Sequence, residues 1–137
     1  MISSFEWTPD MSVGDETIDK QHQRLLKEID VLLSDLMSNA NDATVAEAVG
    51  FLSRYISEHL SYEEEYMEKH EYPGVDFHKL LHRDFVDHYE LFQKEFTDKV
   101  PKSQLISEIA EYIGKWWLQH ILIEDKKYAT FIKENRQ

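Results

Sequence analysis

Apolar residues in this chain recur at intervals of three and four. Ile18, Leu25, Leu26, Ile29, Leu32, Leu33 and Leu36 form one stripe, and Val45, Val49, Leu52, Ile56, Leu60 and Met67 form a second. That is the period of an α-helix with one face turned to a core. Phe77, Leu81, Phe85, Tyr89, Phe92 and Phe96 repeat the pattern, and a fourth amphipathic stretch follows Pro101 and Ser103. Turn chemistry separates the stripes: SNAND at 38–42, with TVAE at Thr44–Glu47 as a capping box, and EYPGVD, whose Pro73 and Gly74 end the second helix. The expected helices span about 17–38, 43–70, 76–97 and 102–134, after an N-terminal arm of about 1–16 anchored by Phe5 and Trp7. Helices of similar length on short turns pack most economically as an all-α, up-down-up-down four-helix bundle in a single domain.

Composition narrows the chemistry. The 137 residues include 4 Gly, 3 Pro and no Cys. Disulfides, thiolate nucleophiles and Cys-bearing zinc or iron–sulfur sites are excluded, so any metal must rest on histidine and carboxylate. A net charge of -12 opposes binding to nucleic acid or anionic lipid. No run is long enough to span a bilayer, and the first residues lack a secretory pattern, so a soluble, monomeric, cytoplasmic protein is the expectation.

Polar residues interrupt the apolar stripes at matching heights. His22 lies 16 residues before Ser38 and His59 lies 17 after Asp42, which puts both roughly 25 Å from the first turn. His82 lies 15 residues before Thr97 and His120 lies 19 after Pro101, roughly 22 and 28 Å from the last turn. His78 precedes His82 by four residues and Glu63 follows His59 by four, a spacing that stacks side chains on one helix face. One layer can therefore gather five imidazoles with nearby carboxylates. Hydrogen bonds alone would have to satisfy many buried donors and acceptors in such a ring, whereas cations pair them together. His70 and His88 serve as controls: the first is about 16 Å along the axis from His59, the second about 120° around the helix from His82, and both are read as ordinary surface or half-buried histidines.

WTPDMSVGDETIDKQH from Trp7 to His22, then HLSYE, YPGVDFHKLLH and WWLQHILIED, in this order and spacing, resemble the hemerythrin family, specifically its single-domain bacteriohemerythrins. The likeness covers essentially the whole chain. It implies two non-haem iron ions with an oxo or hydroxo bridge. His78, His82 and His120 would bind one iron, His22 and His59 the other, and Glu63 and Asp125 would bridge them. Helical geometry by itself selects Glu124, four residues after His120, over Asp125 at a step of five. The family pattern selects Asp125, which requires a π-type widening of the last helix. Asp19 is a candidate acceptor for an imidazole N–H.

The resemblance implies reversible binding of dioxygen, for storage, transport or delivery, in a carrier rather than an enzyme. Large residues within a turn of the ligands would line a dry pocket: Ile18, Leu25, Leu26, Tyr55, Ile56, Phe85, Trp116, Trp117 and Ile123, with Ile121 and Tyr128 as further candidates. The alternatives are a di-iron peroxidase, oxidase or nitric oxide scavenger, and an oxygen or redox sensor module. No Glu-x-x-His motif of the ferritin-like oxidases is present. Seven ligands exceed what a tetrahedral zinc site uses.

Overall fold

The computed structural model describes residues 5–135; the first four residues of the expected arm lie outside that range. Four helices run in sequence: α1 (Glu16–Met37), α2 (Asp42–Lys69), α3 (Val75–Thr97) and α4 (102–134). No strand occurs among the described residues. The architecture is the all-α four-helix bundle.

Each helix starts and stops for a local reason. The Asp15 carboxylate accepts the Ile18 N–H at the head of α1, and the Asn41 side chain accepts the Thr44 N–H at the head of α2. Asn41 therefore caps α2, ahead of the expected Thr44–Glu47 box, because it sits where the first free N–H groups emerge. The first three helices end alike. Asn39, Glu71 and Lys99 adopt φ of 60°, 56° and 59°, and the next N–H closes onto a carbonyl five residues back, as in Tyr72 N–H to Met67 O at 3.0 Å. Glu71 thus terminates α2 before Pro73 and Gly74 are reached.

α4 is not a uniform α-helix. Two π-helical segments, Ile109–Ile113 and His120–Asp125, interrupt it. Six of its buried positions, Leu105, Ile109, Ile113, Trp117, Ile121 and Asp125, recur every four residues. On an ideal α-helix each such step drifts about 40°, so the stripe would wind off the core within a few turns. The wider π turns absorb that drift.

The core is split in two. A large apolar cluster, running from Leu32, Leu36 and Val45 to Phe85, Trp117 and Ile121, fills one side of the bundle. A smaller one, built on Val13, Ile18, Met67, Tyr128 and Ile132, is distinct from it. On α3 the buried face is His78, His82, Phe85, Tyr89 and Phe92, whereas Phe77 is 59% exposed and Leu81 half-buried. Apolarity alone misplaced the start of that stripe, since histidines occupy the inward positions.

The described part of the arm is tied at two places. Phe5 is buried, donates its N–H to the Asp30 carboxylate at 3.0 Å, and lies so close to Gly114 that a Cβ there would clash with the ring. Farther along, the Asp19 carboxylate accepts from the Ser12 hydroxyl and the Val13 N–H, and Lys126 donates to the Ser12 carbonyl.

Candidate metal centre

Between the two apolar clusters lie His22, His59, Glu63, His78, His82, His120 and Asp125, each at most 4% exposed. The regular turn of α1 places His22 on the stripe of Ile18, Leu25 and Ile29. On α2, His59 and Glu63 follow Leu52 and Ile56 inward, and on α3 His78 and His82 precede Phe85. On α4 the π segment brings His120 and Asp125 to the same side despite their five-residue step: the His120 Nε2 and an Asp125 oxygen are 3.1 Å apart. Glu124 is half-buried and pairs with Lys127, pointing away from the cluster.

The ring nitrogens fall into two groups. His78, His82 and His120 converge, with Nε2 to Nε2 separations of 3.0 Å for His78–His120 and 3.2 Å for His82–His120. His22 and His59 meet at 3.1 Å. The two carboxylates lie between these groups and divide their oxygens. Glu63 Oε1 is 3.3 Å from His78 and 3.0 Å from His82, while its Oε2 is 3.4 Å from His22 and 3.5 Å from His59. Asp125 Oδ1 is 3.0 Å from His78, and its Oδ2 is 3.2 Å from His22.

These groups are not satisfied by one another. Among the described residues, Glu63 Oε1 and both oxygens of Asp125 are buried without a well-directed hydrogen bond. Lone pairs of imidazole and carboxylate instead point at common centres, which is what a cation requires and a hydrogen-bonded core avoids. The ligand atoms form two sets able to hold an ion: Glu63, His78, His82, His120 and Asp125, and His22, His59 and Glu63. Imidazole with carboxylate and no thiolate suits iron.

Protons partly fill that role in the metal-free chain. Burial opposes charge on His22 and His78, but the Asp125 and Glu63 carboxylates outweigh it and lift both rings to about 9. Burial also raises Glu63 and Asp125, and the surrounding imidazoles overcome this and hold both carboxyls well below their usual range. His59 goes the other way, because burial dominates and pushes its ring down.

A family model described as the hemerythrin HHE cation binding domain matches residues 13–132. The chain belongs to the hemerythrin family. Similar hemerythrins include the bacteriohemerythrin of Stenotrophomonas maltophilia, 27% identical over 93% of this chain and 80% of its own length. That of Clostridium acetobutylicum is 27% identical over 90% of this chain and 98% of its own. The myohemerythrin of Theromyzon tessulatum is 29% identical over 90% of each.

Other side chains back the cluster of this hemerythrin. The Tyr128 hydroxyl, fully buried, donates to Glu63 Oε2 at 2.9 Å. His59 Nδ1 lies 2.8 Å from Gln21 Oε1, and His82 Nδ1 lies 2.8 Å from Glu64 Oε2. Sequence reasoning missed Gln21 and Glu64, although each adjoins a member of the cluster, Gln21 before His22 and Glu64 after Glu63. Asp19 binds the arm instead. Among the expected lining residues, Ile18, Leu25, Leu26, Ile56, Phe85, Trp117, Ile121 and Tyr128 are buried, Tyr55 and Trp116 half-buried, and Ile123 is 55% exposed. The π turn that brings Asp125 inward leaves Leu122 and Ile123 outside. His70 is exposed and His88 pairs with Glu108 beside Tyr112, both away from the cluster.

Proposed function

We propose that this chain binds dioxygen reversibly at two bridged non-haem irons, as an oxygen store, transporter or delivery protein. The observation that carries the reading is the division of carboxylate oxygens: Glu63 and Asp125 each turn one oxygen toward the three-histidine group and the other toward the two-histidine group. His78, His82 and His120 would hold one iron, His22 and His59 the other, and the two carboxylates both. When bound, ferrous ions would supply dioxygen with one electron each, and the two-histidine group, which offers fewer imidazoles, would leave more room for it.

The chain's own residues keep that chemistry reversible. A bound oxygen molecule is released intact only where no nearby acid delivers protons and bulk water is excluded. Trp117 is fully buried with its ring 5.8 Å from that of His59. Ile18, Leu25, Leu26 and Ile56, each within a turn of His22 or His59, are likewise buried. The buried Tyr128 hydroxyl is engaged by Glu63, and burial together with the Glu63 and Asp125 charges pushes its pKa up, so it holds its proton.

The reading is tested by loading the chain with ferrous iron, counting metal per chain, and following the visible spectrum through cycles of oxygenation and deoxygenation. Two irons, one dioxygen taken up per pair and full recovery over several cycles are expected. Steady consumption of oxygen or peroxide with product release would make it an enzyme, and a colourless chain without iron would end the reading.

A further inference from the structure

The two histidine groups differ in what stands behind them. For a ring whose Nε2 faces into the cluster, the proton resides on Nδ1, and the acceptor of that N–H sets how strongly the ring donates on its other side. His82 donates to Glu64, a carboxylate at 2.8 Å. His59 donates to Gln21, a neutral amide oxygen at the same distance. His22 Nδ1 is buried and has no hydrogen-bond partner among the described residues. A carboxylate draws the Nδ1 proton toward itself and gives the ring partial imidazolate character; an amide does so weakly, and a bare N–H not at all.

We propose that Glu64 and Gln21 are positioning residues that make the two metals electronically unequal. Glu64, acting through His82, enriches the three-histidine metal in electron density and favours its higher oxidation state. Gln21, acting through His59, orients that ring without adding charge and leaves the two-histidine metal the poorer of the pair. The inference rests on the di-iron reading above. Glu64 suits the role because it is tethered on α2, one residue past Glu63, and reaches across to α3. Its side chain is 28% exposed and lines the groove between the two helices with Lys79, Arg83 and Ser61. Part of its charge is thus solvated, which lowers the cost of keeping a carboxylate there.

The test uses the iron-loaded full chain with Glu64→Gln and Gln21→Glu, both near-isosteric. The readouts are the two one-electron midpoint potentials, the release of each iron to a chelator, and the melting temperature of the metal-free chain. Glu64→Gln should raise one potential by the equivalent of at least a tenfold change in relative affinity for the two oxidation states, about 59 mV for one electron. It should also speed release of one iron about 10–100-fold. Gln21→Glu should lower the other potential and narrow the gap between the two. Equal shifts of both potentials in either variant would show a diffuse charge effect, and unchanged potentials would show that the two residues only orient rings; each result overturns the inference. A wild-type chain that holds two irons yet fails to oxygenate reversibly would overturn the functional reading alone, with these potentials still measurable. A chain that takes up no metal overturns both.

Discussion

α2 and α4 each give the centre one imidazole and one carboxylate, yet they do so by different geometry. On α2 the pair is His59 and Glu63, a step of four on a regular helix. On α4 it is His120 and Asp125, a step of five that only a widened turn brings to one face. Both solutions bring the carboxylate close to its own helix's imidazole, 3.5 Å for His59 and Glu63 and 3.1 Å for His120 and Asp125. A helix face is therefore not fixed by residue counting. One inserted residue, accommodated in a π turn, rephases everything downstream without disturbing what lies upstream.

The largest effect expected from breaking this comparison is on metal content. Asp125→Ala should drop iron from two per chain to one or none, as Glu63→Ala should, whereas Glu124→Ala should leave it unchanged. Iron counting after gel filtration checks this, and loss of iron in the Glu124 variant alone would mean that α4 uses the four-residue step after all. Next in size is the clamp of the arm on α4. Gly114→Ala forces the Phe5 ring away and should cost about 1–3 kcal/mol. With Phe5→Ala already in place, the same change should turn stabilising by up to about 1 kcal/mol, because alanine is the better helix former. Urea titration of the four chains separates the two terms.

The imidazoles of the cluster can also be probed through pH. In the metal-free chain, His22 and His78 are held up at about 9, above their unfolded value. Their stabilising contribution is fully present below about 6.5 and is lost as pH rises through about 9. Melting temperature of the metal-free chain should fall across that window, while the affinity for metal rises because protons cease to compete. A metal-free chain whose melting temperature climbs over the same range would contradict the proton-bridged pairing.

Deleting Leu122, which is 39% exposed, sharpens the contrast between the helices. The deletion would convert the step of five in α4 to a step of four, like that of α2, and leave Asp125, Tyr128 and Ile132 in phase. A folded chain that still binds two irons is expected, with stability altered by less than about 2 kcal/mol. The smallest effect lies at the end of α2. Glu71→Gly should raise stability by about 0.5–1 kcal/mol by relieving a left-handed residue, measured as a small rise in melting temperature.

Much of this molecule was legible in sequence, for unequal reasons. The four helices followed from apolar spacing, and the level at which they turn polar followed from counting along the axis from each turn. Placing Asp125 needed the family pattern, since an ideal helix favours Glu124. A purely physical signal did exist in the four-residue recurrence from Leu105 to Asp125, which no unbroken α-helix keeps on one face. Phe77 misled because it is large and apolar at a position one residue before His78, about 100° away around the helix. Hydrophobicity cannot anticipate that a bundle will turn histidines inward and leave a phenylalanine in water. Gln21 and Glu64 escaped for a different reason: which polar neighbour reaches a ring depends on how helices sit across from each other, and that is set by packing.

The polar stratum separating the two apolar clusters has a consequence for survival in the cell. A layer held together only by shared protons is a weak seam, and whatever cation closes it adds its binding free energy directly to resistance against opening. Starved of iron, such a polypeptide would breathe at its middle and meet proteases sooner, so its abundance would track the supply of the metal it carries.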